Sequence, residues 1–267
     1  MTVSDALANI GNRTDLEILL AHLLRCERTW VMAHPEEALT KDEEHQWALI
    51  TERRRRGEPV SYITGTQFFY GRLFLVNPSV LIPRPATERL VEIALSVLRG
   101  EKNPRVTDID TEIVTFVDIW GELASVKTVC DIGTGSGCIA ITIACERTDL
   151  RVVATDISRD ALNVAKENAK NLGVLDRVEF REGRGLDPLQ NLDQPFLIVT
   201  NPPYIPEGTP LMRDVSEFEP HEALFAGSDG MDVVRDILEG AKKHPMCVGV
   251  VVECRKEQVI DNERRNK

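Results

Sequence analysis

Apolar residues in the first quarter of the chain recur at helical spacing. In "DLEILLAHLLR", Leu16, Leu19, Leu20, Leu23 and Leu24 fall on one face. "KDEEHQWALITERRRR" continues the pattern, with Trp47 and Ile50 as inward candidates. Residues 1–56 are therefore expected to form a small helical bundle, ended by Gly57 and Pro59. The pattern then changes. "VSYITGTQFFYGRLFLVN" is rich in β-branched and aromatic residues, with Gly65 and Gly71 as turn positions, and predicts a hairpin. "LIPRP" follows as a stiff extended link, because each proline restricts the residue before it. Over residues 86–98 helical spacing returns, with Leu90, Val91, Ala94, Leu95 and Leu98 on one face. Residues 100–125 hold no clean period and are expected to be a loop with a short irregular element.

From residue 128 onward, apolar runs alternate with amphipathic stretches. "TVCDI", "VVATDI", "VEF", "FLIVT" and "VGVVVE" predict strands. "CIAITIACER", "RDALNVAKENAKNLG" and "GMDVVRDILEGAKKH" predict helices. This alternation implies an α/β core with a mostly parallel sheet and helices on both faces. Ligands then bind beyond the carboxyl ends of the strands.

Composition narrows the function. The 267-residue chain has a net charge of −11. That argues against a general nucleic-acid binder, which releases counterions from phosphates with a basic surface. The basic run Arg53–Arg56 reads as a solvated helix end. The six cysteines form no CxxC pair and several sit in apolar runs, so reduced thiols and a cytosolic protein are expected. No stretch resembles a signal peptide, and no apolar run approaches the ~20 residues of a membrane span. No metal is expected.

Three motifs carry chemistry. "DIGTGSGCIA", Asp131 to Ala140, runs from a strand through Gly133, Thr134, Gly135, Ser136 and Gly137 into a helix. Glycines there allow a sharp turn and close approach of a ligand. Asp156 ends the next strand, where a carboxylate accepts hydrogen bonds from the ribose hydroxyls of an adenosyl ligand; the competing role is capping the next helix. Asn201-Pro202-Pro203-Tyr204 follows the fourth parallel strand. A nitrogen conjugated to a carbonyl or ring is weakly nucleophilic, and a site helps by holding its hydrogens. The Asn201 side-chain oxygen and the Pro202 carbonyl are the natural acceptors, two prolines keep the backbone rigid, and Tyr204 stacks on the planar face. Together the motifs point to S-adenosyl-L-methionine as cofactor and a planar nitrogen as methyl acceptor.

The chain resembles the HemK/PrmC family of protein-(glutamine-N5) methyltransferases. The resemblance rests on "DLEILLAHLL", "RGEPVSYITGTQFFYG", "VLIPRPATE", "DIGTGSGCIAI", "NPPYIP" and the Glu219–Asp232 stretch. It implies an N-terminal helical domain (residues 1–58) that docks a peptide chain release factor. A hairpin and link (59–84) would follow, then a Rossmann-like class I methyltransferase domain (85–267). It further implies that Gly133 to Gly137, Asp156, Gly185 and Asn201 bind the cofactor, and that Asn201 to Tyr204 bind a glutamine of the release factor's GGQ loop. Neither direct nucleic-acid contact nor a membrane is implied. Ala86 departs from the family's Glu, Arg184-Gly185 from an acidic-aromatic pair at the adenine, and Leu197 from a common Asp. The family sheet ends in an antiparallel hairpin after the "VVVE" strand, whereas this chain reaches Lys267 in "DNERRNK". A weak cofactor site and a short sheet edge are the expected consequences. Two other readings share the motifs: an adenine-N6 nucleic-acid methyltransferase, and an inactive paralogue that only binds a partner.

Overall fold

The computed structural model describes residues 1–8, 12–101, 106–107 and 113–258. These fall in two compact units, residues 1–66 with 211–218, and residues 67–210 with 219–267.

The first unit is helical. It contains α1 (Val3–Leu7), α2 (Arg13–Leu24), α3 (Arg28–Ala33), α4 (Lys41–Arg55) and α5 (Val60–Thr64). Reciprocal capping boxes, Thr2 with Asp5 and Thr40 with Glu43, satisfy the free N–H groups that start α1 and α4. Leu16, Leu19, Leu20, Val31, Trp47 and Ile63 form the core. Each such large apolar side chain contributes about 1.5–3 kcal/mol on burial. The Arg53–Arg56 run is paired rather than merely solvated: Arg53 with Glu58, Arg54 with Asp15, and Arg55 and Arg56 with Glu52. The predicted hairpin starts later than expected. Residues 60–64 form a single helical turn, because Pro59 precedes it and Gly65, with φ of +73°, closes it in the left-handed region.

Where the second unit begins, β1 (Thr66–Phe69), whose first residue still counts with the helical unit, and β2 (Arg72–Leu75) make the hairpin proper. Tyr70 and Gly71 turn it with φ of +50° and +71°, the sign a tight right-twisted hairpin requires. Its inward Phe69 and Phe74 meet edge to face at 5.9 Å. The helix α6 (Pro85–Leu98) begins with a proline in its first turn, where the missing N–H costs nothing. The order continues β3 (Val106–Thr107), β4 (Ile113–Ile119), β5 (Thr128–Ile132), α7 (Cys138–Glu146), β6 (Arg151–Asp156), α8 (Arg159–Asn171), β7 (Val178–Glu182) and β8 (Phe196–Thr200). After α9 (Arg213–Ser216), which belongs to the helical unit, come α10 (Asp232–Lys243) and β9 (Cys247–Arg255).

The seven-stranded sheet has the order β3-β4-β9-β8-β5-β6-β7. The five strands from β9 to β7 are parallel. Alternate side chains enter two cores: Val129, Leu197 and Val251 pack on one face, and Cys130, Ile198 and Val250 on the other. Burial on both faces explains why these strands read as continuous apolar runs.

Residues 113–119 correct the expectation of a loop. They form β4, paired antiparallel along all of Ile113–Ile119 with Gly249–Arg255 of β9. The strand carries no period-two signal because it too is buried irregularly on both sides, with Val114, Thr115 and Val117 inward. The place beside β9 is thus filled by a strand that precedes the parallel core in sequence. The expectation for the chain end at "DNERRNK" lies outside the described residues, as do residues 102–105 and 108–112 of the stretch read as a loop.

Candidate active site

The parallel strands end on the side where the three motifs gather. After β5, Gly133, Gly135 and Gly137 take φ of +71°, +55° and +82°, all in the left-handed region. A Cβ added at Gly133 or Gly135 would meet nothing within 4 Å, so space lies open above the turn. Gly137 serves packing instead, since its Cβ would stand 2.6 Å from Ile141 Cδ1. The turn is tied to the next strand by Gly133 and Thr134 N–H groups donating to the Thr155 carbonyl. Asp156 accepts from Gly135 N and Ser158 N, each at 2.9 Å. Ser158 itself caps α8 by accepting from Ala161 N. The helix cap is therefore occupied without Asp156, and burial raises the Asp156 carboxyl above its ordinary range against the N–H groups of Ser158 and Gly135.

Asp131 forms the floor of the turn. It has no exposure, and its Oδ2 accepts from Thr134 Oγ1 at 2.7 Å and Ala140 N at 3.1 Å. Among the described residues its Oδ1 has no partner, nor does the buried Ser136 Oγ. Burial, only partly opposed by Thr134 and Ala140, pushes the Asp131 carboxyl up to about 7.

Asn201 to Tyr204 leave β8 at the neighbouring strand end. Asn201 Nδ2 donates to Thr87 Oγ1 of α6 at 2.9 Å, and among the described residues Asn201 Oδ1 has no bonded partner. Tyr204 does more than present a ring: its hydroxyl donates to Glu253 Oε1 of β9 at 3.1 Å. Burial and the adjacent Glu253 keep that hydroxyl protonated. The backbone behind is held twice. Ile205 N donates to the Leu224 carbonyl at 3.0 Å, and Gln258 Nε2 donates to the Tyr204 carbonyl at 2.9 Å. The "IPRP" link reaches the same region, with Ile82 N on Glu219 Oε2 at 3.1 Å and Arg84 paired to Glu219 Oε1.

A model of the PrmC N-terminal domain matches residues 3–65, and one described as a methyltransferase domain matches residues 123–219. Named relatives include the release factor glutamine methyltransferase of Koribacter versatilis (strain Ellin345), 41% identical over 234 residues that cover 87% of this chain and 75% of that protein. Another, from Xylella fastidiosa (strain Temecula1), is 40% identical over 87% of this chain and 76% of its own length. A third, from Bacillus cereus, is 39% identical over 84% of this chain and 72% of its own. This chain belongs to the release factor glutamine methyltransferase family.

The family's fold is the one described, a methyltransferase core that uses S-adenosyl-L-methionine. The residues present fit that cofactor. Open space over Gly133 and Gly135 leaves room for its chain, and two buried carboxylates, Asp131 and Asp156, lie beneath that turn, bonded to Thr134 and Gly135. After β7, Gly183 N donates to the Asp156 carbonyl and sets Arg184-Gly185 beside that strand end. Arg184 is exposed, and Gly185, with φ of +52°, has open space around it. Ile157, 56% exposed, is the apolar surface there. Leu197 lies within β8 and has no exposure, so it belongs to the core.

Sequence reasoning missed Thr87, Glu253 and Gln258. Glu253 had a readable signal, a carboxylate closing the apolar run "VGVVVE" of a buried strand. Thr87 and Gln258 had none, because only the fold brings α6 and the segment after β9 to the Asn201 loop. Among the described residues no helix is long and apolar enough to cross a membrane.

Proposed function

We propose that this chain transfers a methyl group from S-adenosyl-L-methionine to the side-chain amide nitrogen of a glutamine in a peptide chain release factor. The cofactor supplies a methyl group already activated by its sulfonium. The chain's own task is to hold a poor nucleophile in line. The observation that carries the reading is the Asn201–Thr87 bond: with its nitrogen engaged, Asn201 directs its oxygen outward as an acceptor. Asn201 Oδ1 and the Pro202 carbonyl each accept one N–H of the glutamine amide, which fixes the amide plane. Rigid prolines lose little entropy on binding, so positioning and electrostatics supply most of the rate. The turn from Gly133 to Gly137, closed by the packing of Gly137 against Ile141, holds the cofactor together with Asp156 and the Gly185 turn. The helical segment, residues 1–58, docks the release factor, and residues 59–84 link it to the methyltransferase domain, 85–267. The reaction takes place in the cytoplasm. Incubation of this protein with labelled cofactor and release factor should label the factor, and replacement of its GGQ glutamine by alanine should abolish the label. Labelling that survives the replacement contradicts the reading.

A further inference from the structure

A single side-chain amide joins the hairpin to the glycine turn. Asn168 of α8 is 1% exposed. Its Oδ1 accepts from Leu75 N at 2.7 Å. Its Nδ2 donates to the Leu75 carbonyl at 3.0 Å and to the Ser136 carbonyl at 2.9 Å. Leu75 ends β2, and Ser136 lies between Gly135 and Gly137 in the turn after β5. Both hydrogens of the amide and its oxygen are therefore engaged. Leu75 N is a donor, and the two carbonyls are acceptors. Only one flip of the Asn168 amide suits all three, so its partners fix its orientation.

Both ends of this link depend on outside support. A two-stranded hairpin is marginally stable alone, and β1 and β2 form a sheet of their own. Phe69 and Phe74 anchor it in the same core as Ala169 of α8. Asn168 adds to Leu75 the reciprocal pair of bonds that a neighbouring strand would give. The turn has three glycines in five residues, and so much backbone freedom to lose. The N–H groups of Gly133, Thr134 and Gly135 all donate to Thr155 or Asp156 at the end of β6. Those bonds stop short of the peptide between Ser136 and Gly137. Its N–H donates to the Thr134 carbonyl at 2.8 Å within the turn, and its carbonyl is held by Asn168. Asn168 thus reaches that peptide from another element and fixes it from the buried side, while Gly133 and Gly135 keep open space over the turn.

We propose that Asn168 is a positioning residue for the cofactor, one that couples the order of the hairpin to the shape of the glycine turn. The proposal rests on the reading of that turn as part of the cofactor site. A ligand that binds the turn in this shape stabilises the Asn168–Ser136 bond, and the same amide then holds Leu75 more firmly. The coupling is reciprocal: a loosened hairpin lowers cofactor affinity by the factor with which bound cofactor tightens the hairpin. The hairpin lies in residues 59–84, the link of the function argued above, so the state of the link is felt at the cofactor turn.

The test is amide hydrogen exchange, read by NMR on the full-length protein with and without the demethylated cofactor. Ile237 of α10 packs in the core on the other face of the sheet and reports general stabilisation. In the wild type, cofactor should slow exchange at Leu75 N by about 5- to 10-fold more than at Ile237 N. In Asn168→Ala that excess should vanish, and calorimetry should show cofactor affinity lower by about 10-fold. Asn168→Asp should bind more weakly still, because it keeps the acceptor for Leu75 N but sets an oxygen against the Leu75 and Ser136 carbonyls. Phe69→Leu, which loosens the hairpin without touching the turn, should weaken cofactor binding in the wild type and cost nothing more in Asn168→Ala. Equal slowing at Leu75 and Ile237 in the wild type overturns the proposal. So does wild-type affinity in either Asn168 variant, or an additive loss with Phe69→Leu. Should the Asn168 variants fail to fold, the wild-type exchange decides. A Gly135→Val protein that binds cofactor as the wild type does fails the reading of the turn itself, and this proposal with it.

Discussion

Asp131 makes the stability of the cofactor-free protein depend on pH in a direction opposite to that of most carboxylates. Its carboxyl is fully buried and pushed up from 3.8 to about 7. A carboxyl whose folded pKa is raised contributes its full stability below the unfolded value and loses it as pH rises through the folded one. The rise is about 3 units, at about 1.4 kcal/mol each, so the complete loss is about 4 kcal/mol. About 2.5 kcal/mol of that falls between about pH 5 and about pH 8.5. Asp131→Asn removes this titration. The asparagine oxygen keeps the bonds from Thr134 and Ala140, while its NH2 takes the place of Oδ1, which has no partner among the described residues. That buried donor costs about 1–3 kcal/mol. The variant should be less stable than the wild type near pH 5 and equal or better near pH 8.5. Thermal unfolding followed by circular dichroism at both pH values checks this. The wild-type midpoint should fall by ~5 °C more than the variant's over that range. Parallel pH slopes would refute the assignment of Asp131 as a buried, elevated carboxyl.

Gly135→Val should abolish cofactor binding, because a branched side chain would fill the space over the turn and φ of +55° suits no valine; calorimetry with the demethylated cofactor reads the affinity. Tyr204→Phe should lower stability by about 1–3 kcal/mol in chemical denaturation, since among the described residues both oxygens of buried Glu253 would then lack a hydrogen-bond partner. An unchanged midpoint would mean the Tyr204 hydroxyl does not hold the loop. Asn201→Asp should keep cofactor affinity equal or tighter while transfer falls strongly, because a fixed charge favours the sulfonium over the transition state, where that charge fades.

Much of the fold was legible because the buried parallel strands are short apolar runs ended by glycine, aspartate or asparagine. Those endings mark where β5, β6 and β8 release the chain at one edge of the sheet. The strand β4 was hidden for a physical reason: buried on both faces beside β9, it shows no alternation, and only "IVTFV" hinted at its β-branched character. Residues 60–64 misled because Val60, Tyr62, Ile63 and Thr64 favour strands individually, while Pro59 and Gly65 frame a helical turn. At the site, the glycine turn, Asp156 and Asn201 stood out as local patterns. The support beneath them did not. Thr87 and Asn201 are 114 residues apart, and Tyr204 and Glu253 are 49 apart, so neither bond leaves a local trace.

The central claim is that Asn201, held by its nitrogen, directs methyl transfer to a glutamine amide. Tandem mass spectrometry of a release factor treated with this protein and S-adenosyl-L-methionine tests it most directly. The account predicts one added methyl on the side chain of the GGQ glutamine with the wild-type protein. With Asn201→Ala, cofactor should remain bound and modification should fall about a hundredfold. An equal yield from both proteins, or a methyl group on any other residue, would contradict it.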